Sequence, residues 1–178
     1  GIMSINVSPI QLKKHDFLFG CGAFDFLPVV FEKDPQKAAF FKERTEKWAK
    51  LFNYGTLPFY WGGYEPVEGE PRWQSRMAAA KLMKEKGVQV KGHPLCWHTG
   101  CVNWLMEYDN ATILDKQLKR IERDVTQFKG TIDMWDVINE VVIMPDYDRY
   151  DNAITRICKE HGRVNLIKKV FEEAKAAN

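Results

Sequence analysis

No apolar run in the sequence approaches the roughly 18 residues that a membrane span needs. Charge of one sign is equally scarce: 26 Lys and Arg against 24 Asp and Glu leave a formal net charge of +2. Nucleic acid and anionic lipid demand dense cationic patches, so neither nucleic acid nor membrane is an expected partner. Cysteine is sparse, with 4 residues (Cys21, Cys96, Cys101 and Cys158) and no Cys-x-x-Cys pair. That excludes a disulfide scaffold, and buried free thiols are expected. Cys96 and Cys101 flank His98, but their spacing matches no familiar zinc site, so no metal and no other cofactor is expected. Neither a Gly-x-Gly-x-x-Gly turn nor a P-loop follows any predicted strand, which counts against a nucleotide-binding open sheet. The N-terminal Gly1-Ile2-Met3-Ser4 lacks a basic segment leading into an apolar stretch, so any secretory leader is expected to have been removed or to lie upstream.

What the chain does have is apolar substance, 45% of 178 residues, enough for one domain over 1–178. Short apolar runs alternate with longer amphipathic ones. Residues 17–23 read as a buried strand, 52–60 as a second, 88–97 as a third and 131–139 as a fourth. Between them, Asp34-Pro35 opens a helix running to about Leu51, with Ala38, Phe41, Thr45, Trp48 and Leu51 at helical spacing. Further helices are predicted over 73–86 and 111–129, closed by Gly87 and Gly130, and over about 152–176 with a break near His161-Gly162. This alternation predicts βαβ units and a parallel sheet, either doubly wound or part of a (β/α)8 barrel.

Polar and aromatic residues gather at the predicted C-terminal ends of strands: His93, Trp97 and His98 after the third, Asn139 and Glu140 after the fourth. Barrel enzymes keep their chemistry there. Alone, Glu140 reads as readily as a solvated or helix-capping residue, and a lone His is more often structural than catalytic. The two groups on neighbouring strands together are much harder to read as structural. Six Trp, several beside Gly, Pro or polar residues, suit a surface on which sugar rings stack.

Gly92-His93-Pro94-Leu95-Cys96-Trp97-His98 and Trp135-Asp136-Val137-Ile138-Asn139-Glu140 carry a resemblance. The chain resembles the first half of a glycoside hydrolase family 10 catalytic domain, the endo-β-1,4-xylanase family. That family has Gly-His-x-Leu-x-Trp-His after its third strand and Trp-Asp-Val-x-Asn-Glu after its fourth. Lys129-Gly130, Phe17-Leu18-Phe19-Gly20 and Glu65-Pro66 with Gly69 also match, so the resemblance runs from about Lys14 to the end. It implies a (β/α)8 TIM barrel of which this chain holds about the first four βα units. It also implies a retaining hydrolase of xylan or a related plant polysaccharide, secreted or periplasmic, with Glu140 as acid/base. Asn139 would bond the sugar's 2-hydroxyl, His93 and His98 would line the subsite, and Trp97 would form part of its wall. The expected partners are a polysaccharide or oligosaccharide and either the other half of the barrel or a second copy of the chain. A carbohydrate-binding barrel without turnover is the alternative function.

Two departures from the family pattern stand out. Where the family has Asn-x-x-Lys-Trp after its second strand, this chain has Leu57-Pro58-Phe59-Tyr60-Trp61-Gly62-Gly63-Tyr64, and Gly100 replaces the Gln after the second His. Tyr60 and Trp61 are therefore expected to rebuild the sugar contacts. The family's nucleophile, a Glu near the seventh strand, is expected to lie outside these residues. Asp136 and Glu65 are the tempting substitutes, and a structural role is expected for both.

Overall fold

The structure is a computed structural model that describes residues 4, 6–8, 10, 16–143 and 149–178, so Gly1-Ile2-Met3 and Lys14 lie outside the described residues. A parallel sheet of four strands in the order β1-β2-β3-β4 forms its frame: β1 Gly20–Gly22, β2 Tyr54–Pro58, β3 Gln89–His93 and β4 Met134–Trp135. Helices α1 Phe26–Phe31, α2 Pro35–Leu51, α3 Trp61–Tyr64, α4 Trp73–Glu85, α5 Asn110–Phe128, α6 Ala153–His161 and α7 Arg163–Ala177 fill the connections. Strand order equal to chain order is the pattern of a barrel wall, not of a doubly wound sheet.

The punctuation expected from sequence is where the helices start and stop. Asp34 caps α2 by accepting from the Gln36 and Lys37 amides, with Pro35 at the first helical position. Gly87 and Gly130 follow α4 and α5 at φ 76° and 75°, and Gly162 at φ 80° separates α6 from α7. Helix α1 had no sequence signal of its own. The helical stripe of α2 is only partly covered: Thr45 is buried, whereas Leu51 is 54% exposed, because α2 lies beside the edge strand.

Three strand expectations need correction. The 17–23 segment is not a buried strand: β1 spans three residues, all exposed, and among the described residues only β2 flanks it. The fourth strand is a two-residue ladder followed by an isolated Cys96–Ile138 bridge, not a continuous run. Asp136 N–H bonds the Gly92 carbonyl at 3.0 Å, so a regular parallel ladder would return a bond from residue 94 to the Asp136 carbonyl. Pro94 has no N–H, and Leu95 makes that bond instead, at 3.0 Å, which throws the register off. Finally, parallel strands in such a sheet are ordinarily apolar on both faces, and these are not. Val90 and Gly92 are buried towards the helices, while Lys91, His93 and Asp136 occupy the other face as an ion-paired group.

Behind the sheet lie two apolar clusters. One joins α1 and α4 to β2 and β3 through Phe26, Leu57, Phe59, Ala79, Met83 and Val90. The other joins α5, α6 and α7 to the segment after β3 through Leu95, Cys96, Ile121, Ile154, Ile157 and Val170. Cys96 and Cys158 are buried free thiols as expected, but Cys21 is exposed.

Candidate active site

Gly92 explains how the third and fourth strands come close. A Cβ at Gly92 would stand 2.2 Å from two carbons of the Trp135 ring, so the ring lies flush on the β3 backbone only because residue 92 has no side chain. From that contact the two chains run on together. The Asn139 N–H donates to the Cys96 carbonyl at 2.9 Å, which sets Glu140 beside Trp97 and His98.

There Trp97 Nε1–H donates to Glu140 Oε2 at 2.9 Å. His98 Nε2 lies 3.9 Å from the same oxygen. Glu140 takes φ 51°, the only non-glycine residue in left-handed backbone among those described. Its side chain is 49% exposed. His98 is fully buried, and burial lowers its pKa below the ordinary histidine value, opposed by the nearby Glu140 carboxylate. Burial thus disfavours the charged imidazole beside the Glu140 carboxyl.

His93 belongs to a second group. Its Nδ1 is 2.7 Å from Asp136 Oδ2, and Lys91 Nζ is also 2.7 Å from that oxygen. A carboxylate only accepts, so Nδ1 carries the hydrogen and Nε2 is the nitrogen left for a ligand. Tyr60 packs edge-on against His93 at 5.5 Å and tilted against Trp97 at 5.6 Å. Desolvation, and then the Glu140 charge, raise the Tyr60 hydroxyl's pKa above the usual phenol value. Gly100, at φ 65°, brings its backbone against this ring: a Cβ there would meet Tyr60 Cβ at 3.6 Å. The Gly62 N–H donates to the Gly100 carbonyl at 2.7 Å, latching α3 to the loop after β3. The two sequence departures, Tyr60 and Gly100, thus form one packed unit.

Of the residues singled out from sequence, Glu140, Trp97, His98, His93 and Tyr60 come together, with Asn139 half-buried beside them. Trp61 does not join them. It is 4% exposed, donates Nε1–H to Glu65 Oε2 at 3.0 Å, and packs edge-on against Trp104 in the helix layer. Glu65 is equally committed: 3% exposed, it accepts from Arg123 at 3.0 and 2.9 Å and from the Gly69 amide. Phe24 went unnoticed in the sequence although it meets Tyr60 edge-on at 6.1 Å. An aromatic just past a strand end was its one signal. Tyr150, whose hydroxyl lies 3.2 Å from Thr99 Oγ1, had none. No group of three or more His, Cys, Asp or Glu among the described residues is placed to hold a metal ion.

A parallel βα wall with its polar groups at the strands' C-terminal ends defines a protein of the (β/α)8-barrel class. The sequence pattern of glycosyl hydrolase family 10 matches residues 44–178, and the chain belongs to that family. It is 28% identical over 82 residues to endo-1,4-beta-xylanase 3 of Hypocrea jecorina, covering 46% of this chain and 24% of that protein. A relative from Xylanibacter ruminicola, named endo-1,4-beta-xylanase/feruloyl esterase, is 27% identical over 117 residues, covering 61% of this chain and 15% of its own length. The crystal structure of xylanase 10B from Thermotoga maritima superposes with a TM-score of 0.67 at 22% identity, over 89% of this chain and 46% of that one. The chain thus spans about half of that solved barrel and a quarter or less of these two curated relatives.

Proposed function

We propose that the chain is the acid/base-bearing part of a retaining glycoside hydrolase, secreted or periplasmic, that cuts xylan or a related plant polysaccharide. The observation that carries this reading is the Trp97–Glu140 hydrogen bond of 2.9 Å at the C-terminal end of the sheet. Family membership and the names of the relatives support the reaction class.

In this reading Glu140 protonates the departing glycosidic oxygen. Trp97 holds Oε2, which leaves Oε1 to carry the proton. As the proton leaves, the indole N–H is already aimed at the carboxylate being formed, so no reorganisation is needed. His93 Nε2 and Asn139 take sugar hydroxyls, and the Tyr60–Trp97 pair takes the apolar face of the ring. A retaining enzyme needs a second carboxyl group about 5–5.5 Å from the acid. Asp136 is engaged by Lys91 and His93, and Glu65 by Arg123, so neither is available for that role. The reading takes the nucleophile from outside these 178 residues, in the other half of the barrel.

The test is Glu140→Gln in a barrel that includes both halves. It should slow hydrolysis of substrates with poor leaving groups by about 10²–10⁴-fold, while aryl glycosides with good leaving groups keep much of their first step. Equal, small losses on both substrate classes would remove Glu140 from the role. Oligosaccharide binding without any product in the parent protein would favour the carbohydrate-binding alternative.

A further inference from the structure

A single guanidinium joins the ends of two strands. Arg120, on α5, is 3% exposed. Its Nη1 donates to the Leu95 carbonyl at 2.7 Å, and its Nη2 donates to the Phe59 carbonyl and, at 3.3 Å, to the Pro94 carbonyl. Gln117, one turn earlier, adds a bond to the Leu95 carbonyl at 3.0 Å. The Arg120 guanidinium lies 4.6 Å from the Trp61 ring centroid, and its Nε is 3.4 Å from Asp124 Oδ2.

These acceptors sit where the sheet stops. Register between β2 and β3 ends at Pro58–His93, and the last backbone bond across runs from the Phe59 N–H to the His93 carbonyl at 2.6 Å. Past that point the helix layer, through Arg120, spans the two chains. The ring cluster hangs on the same few residues: Tyr60 follows Phe59, His93 precedes Pro94, and Trp97 stands two residues after Leu95. A buried cation is a poor source of stability, because apolar replacements of like shape are often as stable. It is a good source of fixed geometry, since several donors in one rigid plane hold several carbonyls at set separations, which a Lys ammonium cannot do.

We propose that Arg120 is a positioning residue: by bridging the Phe59, Pro94 and Leu95 carbonyls it fixes the spacing of the β2 and β3 ends, and with it the Tyr60–His93–Trp97 cluster and the Trp97–Glu140 hydrogen bond. Its importance for hydrolysis rests on the glycosidase reading; its effect on Trp97 does not.

The experiment is fluorine NMR on the 178-residue chain labelled with 5-fluorotryptophan, its 6 Trp signals assigned by single Trp→Phe variants. In the parent chain the Trp97 signal should shift with pH, and the shift should vanish in Glu140→Gln. Absence of that shift in the parent would overturn the proposal at its first step. Arg120→Met and Arg120→Lys should both lose the Trp97 shift while the distant Trp48 and Trp73 signals stay in place and report a folded chain. Arg120→Lys keeps the charge and decides the matter if the Met variant does not fold. Arg123→Gln, on the same helix, removes the ion pairs with Glu65 and with Asp124 but none of the carbonyl bridges; it should lower the urea midpoint and leave the Trp97 shift intact. A folded Arg120 variant with the parental Trp97 shift, or an equal loss in Arg123→Gln, would reduce Arg120 to a general stabiliser and overturn the proposal. Failure to find hydrolysis in any assembly would sink the glycosidase reading and leave these signals unchanged.

Discussion

Glu140 and His98 illustrate how a side chain's surroundings, rather than its type, set what it can do. Glu140 is half-exposed but tethered, and its left-handed backbone costs about 1–2 kcal/mol for a residue with a Cβ. His98 is buried with its pKa lowered from 6.5. The consequence for stability has a definite sign. Between the lowered folded value and 6.5 the unfolded chain binds more protons, so stability rises with pH across that window and is level above it. The urea midpoint should therefore fall on going from about pH 7.5 to about pH 5.5, and His98→Asn should show a smaller fall over the same range. An identical pH dependence in the variant would mean that His98 takes no part in it.

Among the elements, the β3–β4 contact bears most directly on the site, because Glu140 follows β4 and Trp97 follows β3. Gly92 is what lets them approach. In Gly92→Ala a methyl would fall 2.2 Å from the Trp135 ring, and the ring also packs edge-on against Phe59 and Phe128 at 4.9 and 6.0 Å. Overpacking of this kind costs about 1–3 kcal/mol. Chemical denaturation should show that loss, with part of it recovered in a Gly92→Ala/Trp135→Leu double variant. A change of less than about 0.5 kcal/mol, the level of an ordinary surface substitution, would mean that the strands can part without cost.

Among the described residues the sheet presents two strand edges, on β1 and β4, and Phe17 (74%), Phe19 (53%) and Val142 (79%) are exposed. Unpaired strand edges are templates for another chain. The face opposite the helices, however, carries the Lys91–Asp136–His93 group, so association would be driven by the edges and the aromatic margin rather than by a broad apolar wall. The 178-residue chain alone is expected to sediment as an oligomer and to show no turnover of a fluorogenic xyloside. Two copies related by a two-fold axis would place their Glu140 residues on opposite sides of the mouth, not as acid and nucleophile. A stable, active monomer would contradict both parts and require a nucleophile within these residues.

The sequence by itself determined the alternation of elements, the helix ends and the residues at the strand tips. All of these depend on local physics: periodicity, the cap at Asp34, the left-handed glycines 87, 130 and 162. It also carried the family, because two motifs on successive strands are specific together. Only the tertiary structure decided which of the strand-tip residues meet. Trp61 and Tyr60 are neighbours in the chain, yet Trp61 serves Glu65 in the helix layer while Tyr60 packs on His93 and Trp97. Phe24, Arg120 and the Tyr60–Gly100 unit stayed hidden for the same reason. Each is defined by a contact between segments 25 or more residues apart, and no local preference encodes the approach of one backbone to another.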